Sequence, residues 1–320
     1  MLLNTKKTAL FLKSGANLPT LPDNYLEVTE PIVLNQEMSM EEFRRLNGKL
    51  NSNDSYVDIC DKTVNQSITH NMRVTGATFT DVPEYAELLK IGGFDMAIDD
   101  TTAGEEYITF KNTQTPLRGS AIVLLDGYKH TLTGSVVADV SMNFPIGKAA
   151  TIEASLQGFI DNNGVATSEA MPAVALNENP VLIVSCGDVV TADGVTLKPD
   201  NISISMGAEI EKLYAMGLKE FNLNDYKAVM EISFYPDNAD YNLAQTKLNN
   251  QDIDSIDLKL GTDATGVLVN GRSVHITCTN AKAMSSSDSD EQGKIKRSFT
   301  YLLQNDVNDT AITIKSGFFA

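Results

Sequence analysis

Cysteine is scarce. Cys60, Cys186 and Cys278 are the only three in 320 residues, widely spaced and without a C-x-x-C pair, which excludes a disulfide framework or a cysteine zinc site and leaves buried free thiols as the expectation. Histidine is equally scarce. His70, His130 and His275 form no H-E-x-x-H motif, and no G-x-S-x-G elbow offers a nucleophile, so neither hydrolase chemistry is written here. Basic residues are in deficit: 25 Lys and Arg face 42 Asp and Glu, for a net charge of −17. Residues 1–160 carry 13 basic and 20 acidic residues and residues 161–320 carry 12 and 22, so the halves stand at −7 and −10. Neither half can grip nucleic acid, because neutralising a phosphate backbone takes clustered Lys and Arg. Long apolar runs are also missing. The first, Ala9–Leu12, ends at Lys13, too short for a signal-peptide core, and no window approaches a membrane span. The expected location is therefore the cytosol in which the chain is made, or the medium after lysis.

Three apparent motifs fail on inspection. Gly147-Lys148 lacks the phosphate-loop glycine five residues earlier, where Met142 stands, and is followed by Ala149 instead of Ser or Thr; a hairpin turn is its simpler role. Asp288, Asp290, Gln292 and Gly293 begin like a calcium loop, but the twelfth position is Phe299 instead of a bidentate carboxylate. Carboxylates are plentiful without forming a recognisable acid–base pair. No catalytic, cofactor-binding or metal-binding residue is expected, and no enzyme.

What is present is ordinary globular composition, 42% hydrophobic and 21% charged, in a length that favours two domains. The order of elements repeats. SFYPDNADYNLAQTKL follows TFTDVPEYAELLKI at an offset of 156, which sets Phe79 against Tyr235, Asp81 against Asp237 and Tyr85 against Tyr241. Asp81 and Glu84 form a capping-box pattern for a short helix, with Pro83 in its first turn and Gly92 at the C′ position. Further matches align Gly15 with Gly187, a helix ending at Gly48 with one ending at Gly217, Gly127 with Gly271, His130 with His275, and Gly147-Lys148 with Gly293-Lys294. Runs such as HTLTGSVVADVSM and ATIEASLQGF alternate with period 2, the signature of half-buried strands. The expected architecture is mainly β, a β-sandwich or barrel with short helices. It comprises two tandem copies, residues 1–160 and 181–320, with a linker at 161–180.

A capped helix, a strand, a DG turn, a long alternating strand pair around a G-K turn, and a strand ending at Gly158-Phe159 together resemble the major tail tube proteins of long-tailed phages. The stretch from Met72 to Ile160 carries the likeness best. The resemblance implies a structural virion protein, made in the host cytoplasm and placed in the tail. It would polymerise into stacked rings around a channel through which DNA passes during ejection without specific binding. It also implies a variant with two tube domains per chain, hence trimeric rings with pseudo-six-fold symmetry. Its partners would be further copies of itself and the tape measure, terminator and distal tail proteins, with no membrane and no cofactor. A virion or cell-surface β-sandwich adhesion or decoration module is the alternative, as is a baseplate or hub component built on the tube fold. Candidate assembly residues are Phe318 and Phe319, apolar near the C-terminus, and the repeat-matched Asp81, Tyr85, Asp237 and Tyr241. Mobile segments expected to order against neighbours are Met1–Asn17, Asp95–Glu106, Ser285–Glu291 and Asp306–Ala320, and removing the last should leave soluble protein that forms no rods.

Overall fold

The computed structural model describes residues 8–44, 53–74, 81–102, 105–112, 117–161, 165–174, 177–215, 218–236, 246, 249, 253–306 and 310–317. In chain order the elements are β1 (Thr8–Ser14), β2 (Tyr25–Leu26), β3 (Asn35–Arg44), β4 (Asn53–Asn71), helix α1 (Ala86–Ile91), β5 (Phe94–Thr102), β6 (Glu105–Asn112), β7 (Gly119–Leu125), β8 (Tyr128–Pro145), β9 (Thr151–Ile160) and β10 (Thr167–Ser168). There follow β11 (Val189–Ala192), β12 (Val195–Leu197), β13 (Pro199–Ala215), β14 (Leu218–Phe234), β15 (Ile253–Leu260), β16 (Ser273–Glu291), β17 (Lys294–Leu303) and β18 (Thr313–Gly317). The chain is mainly β, and its strands form one antiparallel sheet system.

Local sequence accounts for the hairpins. Asp126-Gly127, Asp193-Gly194 and Gln292-Gly293 each place two consecutive residues at positive φ, the geometry that two-residue hairpin turns demand and that Gly, Asp and Asn supply most cheaply. In β17 the side chains of Arg297, Phe299, Tyr301 and Leu303 are buried at every second position, as expected of a strand with one face on a core.

Two sets of seven strands are paired in the same order. The first runs β3, β4, β9, β8, β7, β1, β2. The second runs β13, β14, β17, β16, β15, β11, β12. Two of their irregularities coincide too. The register between β8 and β9 slips between Val137 and Asp139, and that between β16 and β17 slips between Ala283 and Ser285, 146 residues later in both cases (283 from 137, 285 from 139). A second slip, Gly119 to Ala121 in β7, matches Asp254 to Ile256 in β15, 135 residues later (254 from 119, 256 from 121). A bulge costs ladder hydrogen bonds and redirects a strand, so its recurrence at one place in both sets fixes their correspondence residue by residue.

The sets are not separate bodies. One continuous apolar cluster extends from Leu10 to Ile314, including Met142, Phe144 and Ile152 from the first and Ile204, Met230 and Phe299 from the second. β18 pairs with β16 on one side and with β6 on the other, tying the last described strand to the β5–β6 hairpin.

Several expectations are corrected. The segments read as helices ending at Gly48 and Gly217 are largely strand, β3 and β13, while the two glycines lie outside the described residues. Their Glu, Lys and Leu favour helix only weakly, and cross-strand pairing over long hairpins overrides that preference. Asp95–Glu106 belongs mostly to β5 and the start of β6, Ser285–Glu291 is the end of β16, and the segment after Asp306 contains β18, so all three contribute to the sheet. Helix α1 starts later than the capping box implies: Tyr85 is its N-cap without a side-chain cap, and Asp81 is exposed. Glu84 instead accepts a hydrogen bond from the Glu27 amide at 3.2 Å. The residue with positive φ after the helix is Gly93 rather than Gly92.

Candidate assembly interface

The two sets meet along a seam within the chain. β8 pairs with β13 over seven rows, from Pro145 opposite Asn201 to Asp139 opposite Gly207. Its inward residues are apolar: Met142, Phe144, Ile202, Ile204 and Met206 are all buried. At the last row the Asp139 side chain lies against Gly207, where an added Cβ would sit 3.2 Å from Oδ1. Seven backbone rows with an apolar floor make this seam part of the core.

The hairpin of β13 and β14 extends past the seam and lies over the first set. Phe221 stacks on Phe159 with ring centroids 4.6 Å apart, and Val136 and Ile210 complete that cluster. Tyr226 donates to the carbonyl of Gly92 at the end of α1 (3.3 Å), and burial pushes its phenol well above the usual tyrosine range. Arg118 forms an ion pair with Glu220. At the other end of the seam Lys296 bridges Asp200 (2.6 Å) and Glu291 (3.3 Å), and Tyr235 donates to Glu291 (3.0 Å).

Two strand edges are open among the described residues. Among the described residues β3 pairs only with β4, and the ladder of β15 along β16 stops at Lys282 with no strand continuing it. Native proteins normally blunt such edges, because unpaired N–H and C=O groups invite another chain. β16 does carry charge there, but its carboxylates serve the hairpin. Asp288 takes both Nε and Nη2 of Arg297, at 2.6 and 2.8 Å, and Asp290 accepts the Gly293 amide at 2.8 Å. The calcium-like spacing is therefore the sequence of a tight turn and its buried arginine.

A family model described as phage tail tube protein matches residues 46–302, which includes β4 to β16 and nearly all of β17. The chain belongs to the phage tail tube protein family. No match was found among the curated proteins. A structural role in the tail tube follows from that membership. No helix among the described residues is long and apolar enough to cross a membrane.

Within this tail tube protein the candidate residues read from sequence separate. Phe318, Phe319, Asp237 and Tyr241 lie outside the described residues. Asp81 is exposed, whereas Tyr85 is wholly buried against Phe110 and His70, so it supports the core beneath α1. Burial drives its phenol far above the usual range. His275 binds Asp257; burial opposes ionisation of that carboxyl, but the hydrogen bond and charge of His275 hold it below the usual carboxylate range. His130 and His275 are not equivalent, since the bulge-anchored offset of 146 carries His130 to Ile276. Cys278 is buried, which pushes its thiol up to about 12, while Cys186 is exposed, against expectation. The seam and the two open edges were missed by sequence reasoning. Equal bulge positions signal them only once the pairing is known.

Proposed function

We propose that this tail tube protein is a tandem-repeat subunit of a long-tailed phage, with copies at residues 1–160 and 181–320 joined by a linker at 161–180. Three chains close a ring of six repeat units, and rings stack into a tube. The observation supporting this reading is the β8–β13 seam, where two seven-strand sets of identical order continue into one sheet while the outer edges stay open. A head-to-tail contact of this kind either closes into a ring or grows into a filament. A unit already containing one such seam needs half as many chains to close.

The charge of −17 gives the channel its use. Phosphates pass an acidic wall without the counterion release that drives binding. Genomic DNA is thus cargo in transit, and the lasting partners are other copies of the chain and the tape measure, terminator and distal tail proteins of the virion.

Electron microscopy of the purified protein tests this directly. Hollow rods with three chains per ring are expected, and six chains per ring would mean that one strand set lies outside the wall. In gel shifts at physiological salt, duplex DNA should stay unbound, and binding with a steep salt dependence would remove the sliding-channel role.

A further inference from the structure

We propose that the edge of β16 beyond Lys282 pairs antiparallel with the edge of β3 in a second copy of the chain, in the register that β8 and β13 adopt within one copy. This rests on the reading of the chain as a ring-forming tube subunit.

The register follows from the shared bulges. Asp139 corresponds to Ser285 and Val137 to Ala283, so the stretch of β8 inside the internal seam, Asp139–Pro145, corresponds to Ser285–Glu291. Rows across the sheet carry the correspondence to the other side. Asn35 faces Asn65, which faces Gln157, which faces Val136; Ser205 faces Val229, which faces Leu302, which faces Lys282. Val136 and Lys282 are again 146 apart (282 from 136), so Asn35 occupies the place of Ser205. Counted back along the chain from Asn35, just before β3, Ile32 and Leu34 correspond to Ile202 and Ile204, and Ile32 is likewise buried. Within the chain Ser205 pairs with Ser141. The equivalent pair between chains is Asn35 with Ser287, flanked by Val33 with Ser289 and Glu37 with Ser285.

Exposure at the two edges points to the same partner. Val33 on the β3 side is 58% exposed and Met284 on the β16 side is 50% exposed. The residue equivalent to Met284 is Ala138, which is 8% exposed where the internal seam is made. An apolar side chain left in water at the place where its counterpart is covered marks a surface that a second copy would cover.

The two seams differ in chemistry. Where Met142 and Phe144 line the internal one, the corresponding positions in β16 are Asp288 and Asp290, the first held by the buried Arg297. The seam between copies therefore relies on main-chain hydrogen bonds more than on apolar burial. The chain folds around its internal seam first, and rings close afterwards.

Disulfide trapping tests the register. With Cys60 and Cys186 replaced by serine and Cys278 left buried, Asn35→Cys is combined in turn with Ser285→Cys, Ser287→Cys and Ser289→Cys, and the assembled protein is oxidised. Opposed residues of an antiparallel pair have Cα atoms about 4.5–5.5 Å apart, within disulfide reach. Covalent dimers and closed trimers on a denaturing gel, strongest for the Ser287→Cys pair, are expected, with single-cysteine variants remaining monomeric. Rings seen by microscopy without linkage in any pair would overturn this seam and leave the tube reading standing; neither rings nor linkage under any condition would overturn both. Independently, Met284→Asp should leave the melting temperature of the single chain unchanged and abolish rings, and persistence of rings would count against the seam.

Discussion

Phe221 of the β13–β14 hairpin stacks on Phe159 of β9, 62 residues earlier in the chain (221 from 159), with ring centroids 4.6 Å apart and planes inclined by 27°. The pair holds the hairpin of the second strand set down on the first, and it closes a small cluster separate from the main core. Truncating either ring should cost up to about 3–5 kcal/mol, the range for buried phenylalanine. Because the rings contact each other, the two losses should not add. A double-mutant cycle of Phe159→Ala and Phe221→Ala should return a coupling of about 0.5–1.5 kcal/mol; additive losses in chemical unfolding would mean that the hairpin is held elsewhere.

Ile314 is fully buried in β18, between β16 and β6. Ile314→Ala should destabilise the chain by about 2–5 kcal/mol, measured by the denaturation midpoint. Deleting residues 306–320 removes the whole strand and leaves two ladders open, so the product should be aggregation-prone instead of a soluble, assembly-defective chain. A truncated chain that stays monodisperse with an unchanged melting temperature would show that β18 adds little.

Gly119 sits where β1, β7 and α1 converge. A Cβ there would come within 2.8 Å of the Lys13 carbonyl oxygen and would also overlap the side chain of Ile91. Gly119→Ala should cost about 1–3 kcal/mol, the range for overpacking. Adding Ile91→Val should recover only part of that loss, because the carbonyl of β1 remains in place. Full rescue in thermal melts would identify the helix contact as the sole conflict.

His70 is buried on β4, with Nδ1 2.6 Å from the Glu27 carbonyl oxygen. Burial lowers its pKa, opposed by that hydrogen bond and by the nearby carboxylates. The folded state thus resists a proton that the unfolded chain accepts near its ordinary value of about 6.5. Stability is fully present above that value and declines as the pH falls below it, by at most about 1.4 kcal/mol per pH unit from this one group. Thermal melts between pH 8 and 5 should show the decline in the parent chain, and His70→Gln, though less stable throughout, should lack it. Identical slopes would assign the acid sensitivity to other groups.

Much of the local chemistry was legible beforehand. Asp126-Gly127 and Gly147-Lys148 announced their turns through residues that accept positive φ, and the alternation read in HTLTGSVVADVSM holds in β8 from Ala138 onward, while Ser135–Ala138, next to the register slips, are buried in succession. The repeated order of elements was also readable, although Gly15 and Gly187 were matched wrongly, since the strand equivalences place Leu12 with Ala192. What stayed hidden was pairing between distant segments. Nothing in the pattern of β13 names β8 as its neighbour, because side-chain alternation encodes which face is buried and not which strand lies alongside. For the same reason EEFRRLNG read as a helix: its helix formers are evident, whereas β4, the partner that holds part of it extended, is a separate segment of the chain.

The placement of β18 also bears on the timing of biosynthesis. Its Lys315 reaches Tyr107, 208 residues earlier, and the edge of β6 stays open until that strand emerges from the ribosome. Long-range closure of this kind is slow compared with hairpin formation. Until β18 is made, a nascent chain would therefore hold the β5–β6 hairpin with the β6 edge unpaired, which gives chaperones a defined client state.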